Sequence, residues 1–344
     1  MSLPPLQPAT PSHSHLISEA VRRLRAGAVV AFPTETVYGL GADALNQAAV
    51  RQVFHLKGRP AHNPLIVHLP DFHAAMPLVS RWPPEAQLLA QHFWPGPLTI
   101  VLPKSPLIPD IVTGGGGGGT TVALRVPDHP LALELLRAFA GPLVGPSANP
   151  SGFISPTTAD HVREAFSQSA VLILDGGPCA RGIESTVLSL IVPDEPRILR
   201  PGLISPEEIA RILARPVALT TDPRAAPNAD QSTPLTSPGM FSRHYAPRAP
   251  AQLVDTPDLT TALARAPANS LCLTHEPARL TSPPIPLVPM PTDPDSYAAL
   301  LYRALRDADA RRPSLILIHR PDAQGPLWDA IRDRLRRATA PSEP

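Results

Sequence analysis

From Leu16 to about residue 200, segments of helical period alternate with short apolar runs of strand length. No other feature of the chain constrains its fold so tightly. A helix over 16–26 (LISEAVRRLRA) precedes a buried strand, Gly27–Phe32. Helices over 47–56, 84–93, 130–139 and 157–166 are interleaved with strands over 65–69, 98–102, 121–126, 142–145 and 171–174. Such alternation specifies an α/β domain with helices packed on a sheet. Strands over 185–190 and 197–200 follow with no helix between them, so the sheet is mixed, not wholly parallel. Ser205-Pro206-Glu207-Glu208 is a capping box with proline at the first helical position, opening a helix that ends near 214.

Composition then divides the chain. The 344 residues fit two domains. Seven of the 48 prolines fall in residues 215–250, which read as a stiff linker. Residues 251–340 repeat the βα pattern on a smaller scale, with strands over 251–254, 270–274 and 314–318 and helices over 258–265, 295–308 and 326–338. Residues 1–14 read as a flexible tail, 15–214 as the main domain. The formal net charge of +1 argues against a tail-driven polyanion binder. Two cysteines, Cys179 and Cys272, support neither a disulfide framework nor a cysteine-rich zinc site. No leader pattern opens the sequence, and no apolar run approaches the ~18 residues of a membrane span. The expectation is a cytoplasmic protein that does not engage a membrane.

Several motifs carry chemistry. Gly114–Gly119 formally satisfies a dinucleotide fingerprint, but a strand follows it instead of a helix, so it reads as a loop. Lys57-Gly58-Arg59, with Asn63, leaves a helix as a basic loop; in a chain whose only other lysine is Lys104, a retained lysine marks a compact charge suited to phosphate. Thr34-Glu35-Thr36 sits at a strand end, where α/β folds bind ligands, although Thr34 also suits a turn cap. Arg125 lies inside an apolar strand and needs an anion, either a ligand carboxylate or an internal acid. Gly145-Pro146-Ser147-Ala148-Asn149 lacks the glycine of a nucleophile elbow and reads as a polar donor loop. His62, His68 and His73 lack metal-ligand spacing, so a protein-held metal is not expected; Mg²⁺ held mainly by ligand phosphates is the better fit.

Taken together, PTETVYGLG at 33–41, KGRPAHNPLIVH at 57–68, WPGPLTIVL at 94–102, ALRVP at 123–127, GPSANPSG at 145–152, ESTVL at 184–188 and ILRPG at 198–202 resemble the threonylcarbamoyl-AMP synthase family, with its YrdC-like domain. The likeness runs nearly unbroken over about 15–205. SPGMFSRHYAP at 237–247 and the small α/β domain after it resemble the longer, two-domain form. The resemblance implies a YrdC-like twisted mixed sheet joined to a smaller Rossmann-like domain. It also implies a reaction: L-threonine, bicarbonate or CO₂ and Mg-ATP give L-threonylcarbamoyl-AMP and pyrophosphate. A downstream transferase complex would then modify tRNA beside the anticodon, so the chain meets tRNA only indirectly.

Carried over residue by residue, the family pattern implies that Lys57 and Arg59 are catalytic and face the triphosphate. Asn63, Thr121, Asn149, Thr157, Arg200 and Tyr245 complete the ATP site. Thr36, His68, Arg125, Ser147 and Ser185 form the L-threonine site, with Arg125 on the carboxylate. The six-glycine run departs from the family pattern and leaves Thr120 as an alternative to Thr121. Residues 237–247 are expected to act as a lid over the nucleotide, because apolar groups in a polar linker have reason to sit there only if they dock. The competing reading is an RNA-binding YrdC-like module without adenylate synthesis. Aromatic residues at 4% and a near-zero net charge weigh against it. A carbamoyltransferase of related fold, or a purely structural C-terminal domain, are further alternatives.

Overall fold

The computed structural model describes residues 13–114, 119–220, 243–280 and 282–341. The main domain begins with α1 (His13–Arg25), so the expected tail gives up its last two residues to a helix. Then come β1 (Val30–Phe32), β2 (Gly39–Asp43), α2 (Gln47–Lys57), β3 (Ile66–His68) and α3 (Pro84–Phe93). These lead to β4 (Leu98–Pro103), β5 (Thr121–Arg125), α4 (Pro130–Phe139), β6 (Leu143–Val144) and α5 (Ala159–Ala165). The domain closes with β7 (Leu172–Ile173), β8 (Thr186–Ser189), β9 (Arg197–Arg200), α6 (Pro206–Leu213) and β10 (Ala218–Leu219).

Ten strands form one mixed sheet in the order β10-β9-β8-β4-β5-β3-β6-β2-β1-β7. Neighbours β3 and β5 run parallel, while β4 and β5 run antiparallel. The helices start where local chemistry starts them. Asn46 accepts hydrogen bonds from the Ala48 and Ala49 amides to open α2, and Gly58, at φ 58°, closes it in the left-handed region. Both halves of the Ser205–Glu208 capping box are formed on α6.

Strand β2 is absent from the sequence reading because Gly39 and Gly41 depress strand propensity. The fold needs them small: a Cβ at either position would come within 2.9 Å of the Phe32 ring on the paired strand β1. The expected strand from Gly27 starts only at Val30, since Gly27 sits at φ 81° ending the turn after α1. One face of the sheet packs Phe32 and Leu143 against Leu24 of α1 and Leu135 of α4. The other carries the larger core, around Leu40, Val53, Val67, Leu89 and Leu124.

The second domain contains β11 (Ala251–Val254), α7 (Leu259–Arg265), β12 (Ser270–Thr274), β13 (Leu287–Pro289), α8 (Pro294–Ala310), β14 (Leu315–His319) and α9 (Pro326–Ala338). Its four strands are all parallel, in the order β11-β14-β12-β13. Strand β13 was not foreseen, because its prolines argue against a strand; at a sheet edge they are tolerated. The two domains share a core. Val37, Ile154 and Ile183 of the first pack with Tyr297, Leu301, Tyr302 and Trp328 of the second, and Tyr245 of the linker lies among them. Met240 and Phe241, two of the expected lid residues, lie outside the described residues.

Candidate active site

A cavity of about 50 Å³ opens over the middle of the ten-stranded sheet. Its first wall is the turn between β1 and β2. Thr34 Oγ1 accepts from the Val37 amide at 3.1 Å and donates to the Val37 carbonyl at 2.7 Å, so the hydroxyl folds the turn, as its capping role predicts. That turn presents Glu35 and Thr36 to Arg125 at the end of β5. Arg125 Nη2 meets Glu35 Oε1 at 2.6 Å, Nη1 meets Thr36 Oγ1 at 3.0 Å, and Nε meets the Gly96 carbonyl at 3.2 Å. The anion beside Arg125 in this structure is therefore the internal glutamate. Glu35 Oε2, also buried, has no hydrogen-bond partner among the described residues.

Strand β3 contributes His68, whose ring meets Phe32 edge-on at 5.5 Å. Gly145 makes room for it: a Cβ there would lie 2.6 Å from His68 Nδ1. Burial, with the nearby Arg125 charge, pushes the His68 pKa down to about 3. The ring is neutral at pH 7 and a poor base. It serves as a polar wall.

A second wall is cationic. Lys57, Arg59 and Arg200 are all buried, and none has an ion pair with a carboxylate among the described residues. Lys57 ends α2 and donates to the carbonyls of Ser147 and Asn149, each at 2.5 Å, bracing the loop after β6. Burial, then Arg59, lowers its pKa well below the ordinary lysine value. Arg59 is held by Asn63 Oδ1 at 2.6 Å and the Pro64 carbonyl at 2.8 Å. Arg200, at the end of β9, donates to the Ser185 carbonyl through Nε at 3.1 Å and Nη2 at 2.9 Å. Buried cations without acidic partners are costly unless an anion joins them.

The linker forms the roof. His244 and Tyr245 are buried, and Tyr245 adopts φ 62°, a left-handed conformation uncommon outside glycine. Its ring stacks on Tyr302 of α8 at 5.6 Å, and Arg334 of α9 lies 5.4 Å over it. Arg334 also reaches the cavity wall, its Nε 2.9 Å from Glu184 Oε2. The same glutamate accepts from Ser155 at 2.7 Å and Tyr302 at 2.8 Å. Burial alone would raise the Glu184 pKa; Arg334 and Arg200 outweigh it, so the value falls. Burial lowers His244 to about 3, and burial also raises the Tyr245 phenol, so both are uncharged at neutral pH.

Of the residues expected from the sequence, Thr36, Arg59, His68, Arg125, Ser147, Arg200 and Tyr245 line the cavity. Asn63, Asn149, Lys57 and Ser185 stand behind it, bonded to lining groups or their backbone. Thr121, at the start of β5, and Thr157, against His161, are not among the lining residues. Glu184 and His244 line the cavity but were not singled out, although both lie within quoted motifs. Their signal was an acid directly before the strand expected over 185–190 and a histidine beside Tyr245 in an otherwise polar linker.

Comparisons with known proteins follow the same lines. A family model described as telomere recombination, covering Sua5, YciO and YrdC, matches residues 22–202. A model of the threonylcarbamoyl-AMP synthase C-terminal domain matches 204–340. The threonylcarbamoyl-AMP synthase of Pyrococcus abyssi is 46% identical over 234 residues, 68% of this chain and 66% of its own length. That of Bacillus subtilis is 45% identical over 241 residues, 70% of this chain and 66% of its own. The chain thus matches just under two thirds of the length of these two relatives in sequence. The Pseudomonas putida threonylcarbamoyl-AMP synthase is 37% identical over 55% of this chain and 98% of its own length. In structure, P. abyssi Sua5 complexed with L-threonine superposes with a TM-score of 0.83 at 36% identity, covering 95% of each chain. The chain belongs to the threonylcarbamoyl-AMP synthase family of Sua5, YciO and YrdC proteins, in its two-domain form.

Proposed function

We propose that the protein condenses L-threonine, bicarbonate or CO₂, and ATP into L-threonylcarbamoyl-AMP with release of pyrophosphate. This is the first step in threonylcarbamoyladenosine modification of tRNA, with a transferase complex as the downstream partner. The observation that carries this reading is the state of the polar groups on the cavity wall and directly behind it. Glu35 Oε2, Asn63 Nδ2, His68 Nδ1, Asn149 Oδ1 and Tyr245 Oη are buried without hydrogen-bond partners among the described residues. Each such group costs about 1–3 kcal/mol unless a ligand satisfies it. They gather around three buried cations, a setting for a ligand that is anionic at one end and polar at the other.

The threonine carboxylate takes Arg125, with Thr36 and Ser147 beside it and His68 as the floor. The unprotonated amine captures CO₂, forming an N–C bond and losing a proton, and gives a carbamate. A carbamate oxygen then attacks the α-phosphorus of ATP; the new O–P bond replaces the bond to pyrophosphate. The triphosphate lies toward Arg59 and Arg200, whose forks neutralise the charge that builds on the phosphate oxygens. Lys57 positions the Ser147–Asn149 loop that it braces, and Asn63, Asn149, Thr157 and Thr121 complete the nucleotide side. Mg²⁺ would come with ATP and help neutralise its phosphates; the nearby carboxylates of Glu35 and Glu184 are each already paired with an arginine, so the phosphates would be its main ligands. His244 and Tyr245 are buried across the cavity, so the linker roof lifts for ATP to enter and closes to shield the labile adenylate.

Pyrophosphate release from Mg-ATP, with and without L-threonine and labelled bicarbonate, tests the proposal. Release that needs both co-substrates, with the label found by mass spectrometry in a threonylcarbamoyl adenylate, is the expected result. Salt-dependent RNA binding by folded protein that shows no threonine-dependent release would overturn it.

A further inference from the structure

The carboxyl ends of the parallel strands in the second domain hold a cluster the proposed reaction does not use. The crossover from β11 to β12 passes β14 in one direction, and that from β13 to β14 passes β12 in the other. The strand connections therefore reverse at β14, and in open α/β sheets ligands bind outside the strand ends at such a reversal. His319 ends β14, His275 and Glu276 follow directly after β12, and one donor atom from each of the three lies within 4.8 Å of the others. The imidazole rings are stacked, 4.3 Å apart and 23° from parallel.

The hydrogen bonds around His319 fix its tautomer. Nε2 lies 2.9 Å from Thr256 Oγ1, and Thr256 donates its own proton to Asp322. Thr256 must therefore accept, so Nε2 carries the ring hydrogen and Nδ1 keeps the lone pair. A carboxylate acting through a hydroxyl on the far nitrogen is the arrangement that orients metal-bound histidines. The lone pair at Nδ1 is met only by the Thr274 hydroxyl, at 3.0 Å. His275 Nδ1 is buried with no partner among the described residues. Glu276 is held on its outer side by Arg279 at 3.0 Å.

We propose that His275, Glu276 and His319 bind a divalent transition-metal ion of the Zn²⁺ class. Two imidazoles and one carboxylate suit such ions better than Mg²⁺ or Ca²⁺. On binding, the rings splay out of their stack and the ion replaces the Thr274 hydroxyl at Nδ1. Three protein ligands leave a fourth position for water or an outside donor, the pattern of a reactive or ligand-binding ion and not of a closed structural one. The separation of the ligands between β12 and β14 explains why histidine spacing along the sequence did not disclose them.

The test uses full-length protein freed of metal with a chelator, then titrated with Zn²⁺ by calorimetry and with Co²⁺ by visible absorption. One equivalent of Zn²⁺ per chain, a rise in Tm and the Co²⁺ bands of a four-coordinate site are expected. His275→Asn and Glu276→Gln, both at partly exposed positions, abolish the Co²⁺ bands. Asp322→Asn, which unhooks Thr256, weakens binding about 10–100-fold. No Zn²⁺ binding by folded wild-type protein, or binding that survives His275→Asn and Glu276→Gln unchanged, overturns the proposal.

Discussion

Among the described residues two arginine–glutamate pairs are buried, Arg125–Glu35 at 2.6 Å and Arg334–Glu184 at 2.9 Å, and they differ in how completely they are satisfied. Glu184 receives Arg334, Tyr302 and Ser155, while Arg334 also reaches Asp333. Every strong group there has its partner, and the pair joins a helix of the second domain to the sheet of the first. Glu35 has one oxygen bonded to Arg125 and the other buried without a partner. Arg125 lines the cavity, whereas Arg334 does not. A complete pair holds structure together; an incomplete pair on a cavity wall can exchange one carboxylate for another. The contrast suits Arg334 to domain docking and is consistent with the ligand role proposed for Arg125.

The largest effect should come from breaking the complete pair. Arg334→Ala leaves Glu184 buried and uncompensated and costs about 3–5 kcal/mol, read as a fall in ΔG by urea titration. Arg125→Ala costs less, because Arg125 bonds a single carboxylate, Glu35, whereas Arg334 bonds two, Glu184 and Asp333. Equal losses from the two would break the comparison.

Acid should separate the pairs next. The Glu184 pKa lies below its ordinary 4.5 in the folded protein, so its contribution is complete above that value and is lost as pH falls through the lower folded one. Urea stability followed downward from pH 5 should therefore decline in the wild type and less steeply in Glu184→Gln. Parallel slopes would remove Glu184 from the account.

A smaller effect tests the roof that Arg334 supports. Tyr245→Phe keeps the ring packing and removes only the buried Oη, which has no partner among the described residues. The loss of one hydrogen bond to the ligand, ~1 kcal/mol, should raise the KM for ATP about fivefold while leaving the fold intact. An unchanged KM would place Tyr245 in packing alone.

Much of this was legible in the sequence because it depends on local chemistry. The alternation of elements, the Ser205–Glu208 cap and the Lys57–Arg59 loop each announce themselves within a few residues. Strand β2 did not, because its glycines serve the Phe32 ring and not the strand. The need of Arg125 for an anion was readable, but only packing reveals that Glu35 supplies it and that half of Glu35 stays unpaired. Glu184 as the anchor between domains depends on Tyr302 and Arg334, more than a hundred residues away. The histidine cluster of the second domain is likewise made by strand order and has no linear signature.

The account turns on Arg125 meeting the carboxylate of threonine, and steady-state pyrophosphate release by Arg125→Ala tests it most directly. Losing a buried charge pair with substrate is worth about 2–5 kcal/mol, so the KM for threonine should rise about 30-fold to a few thousand-fold while that for ATP stays near wild type. Equal increases for both substrates would contradict the account and make Arg125, like Arg334, a structural residue.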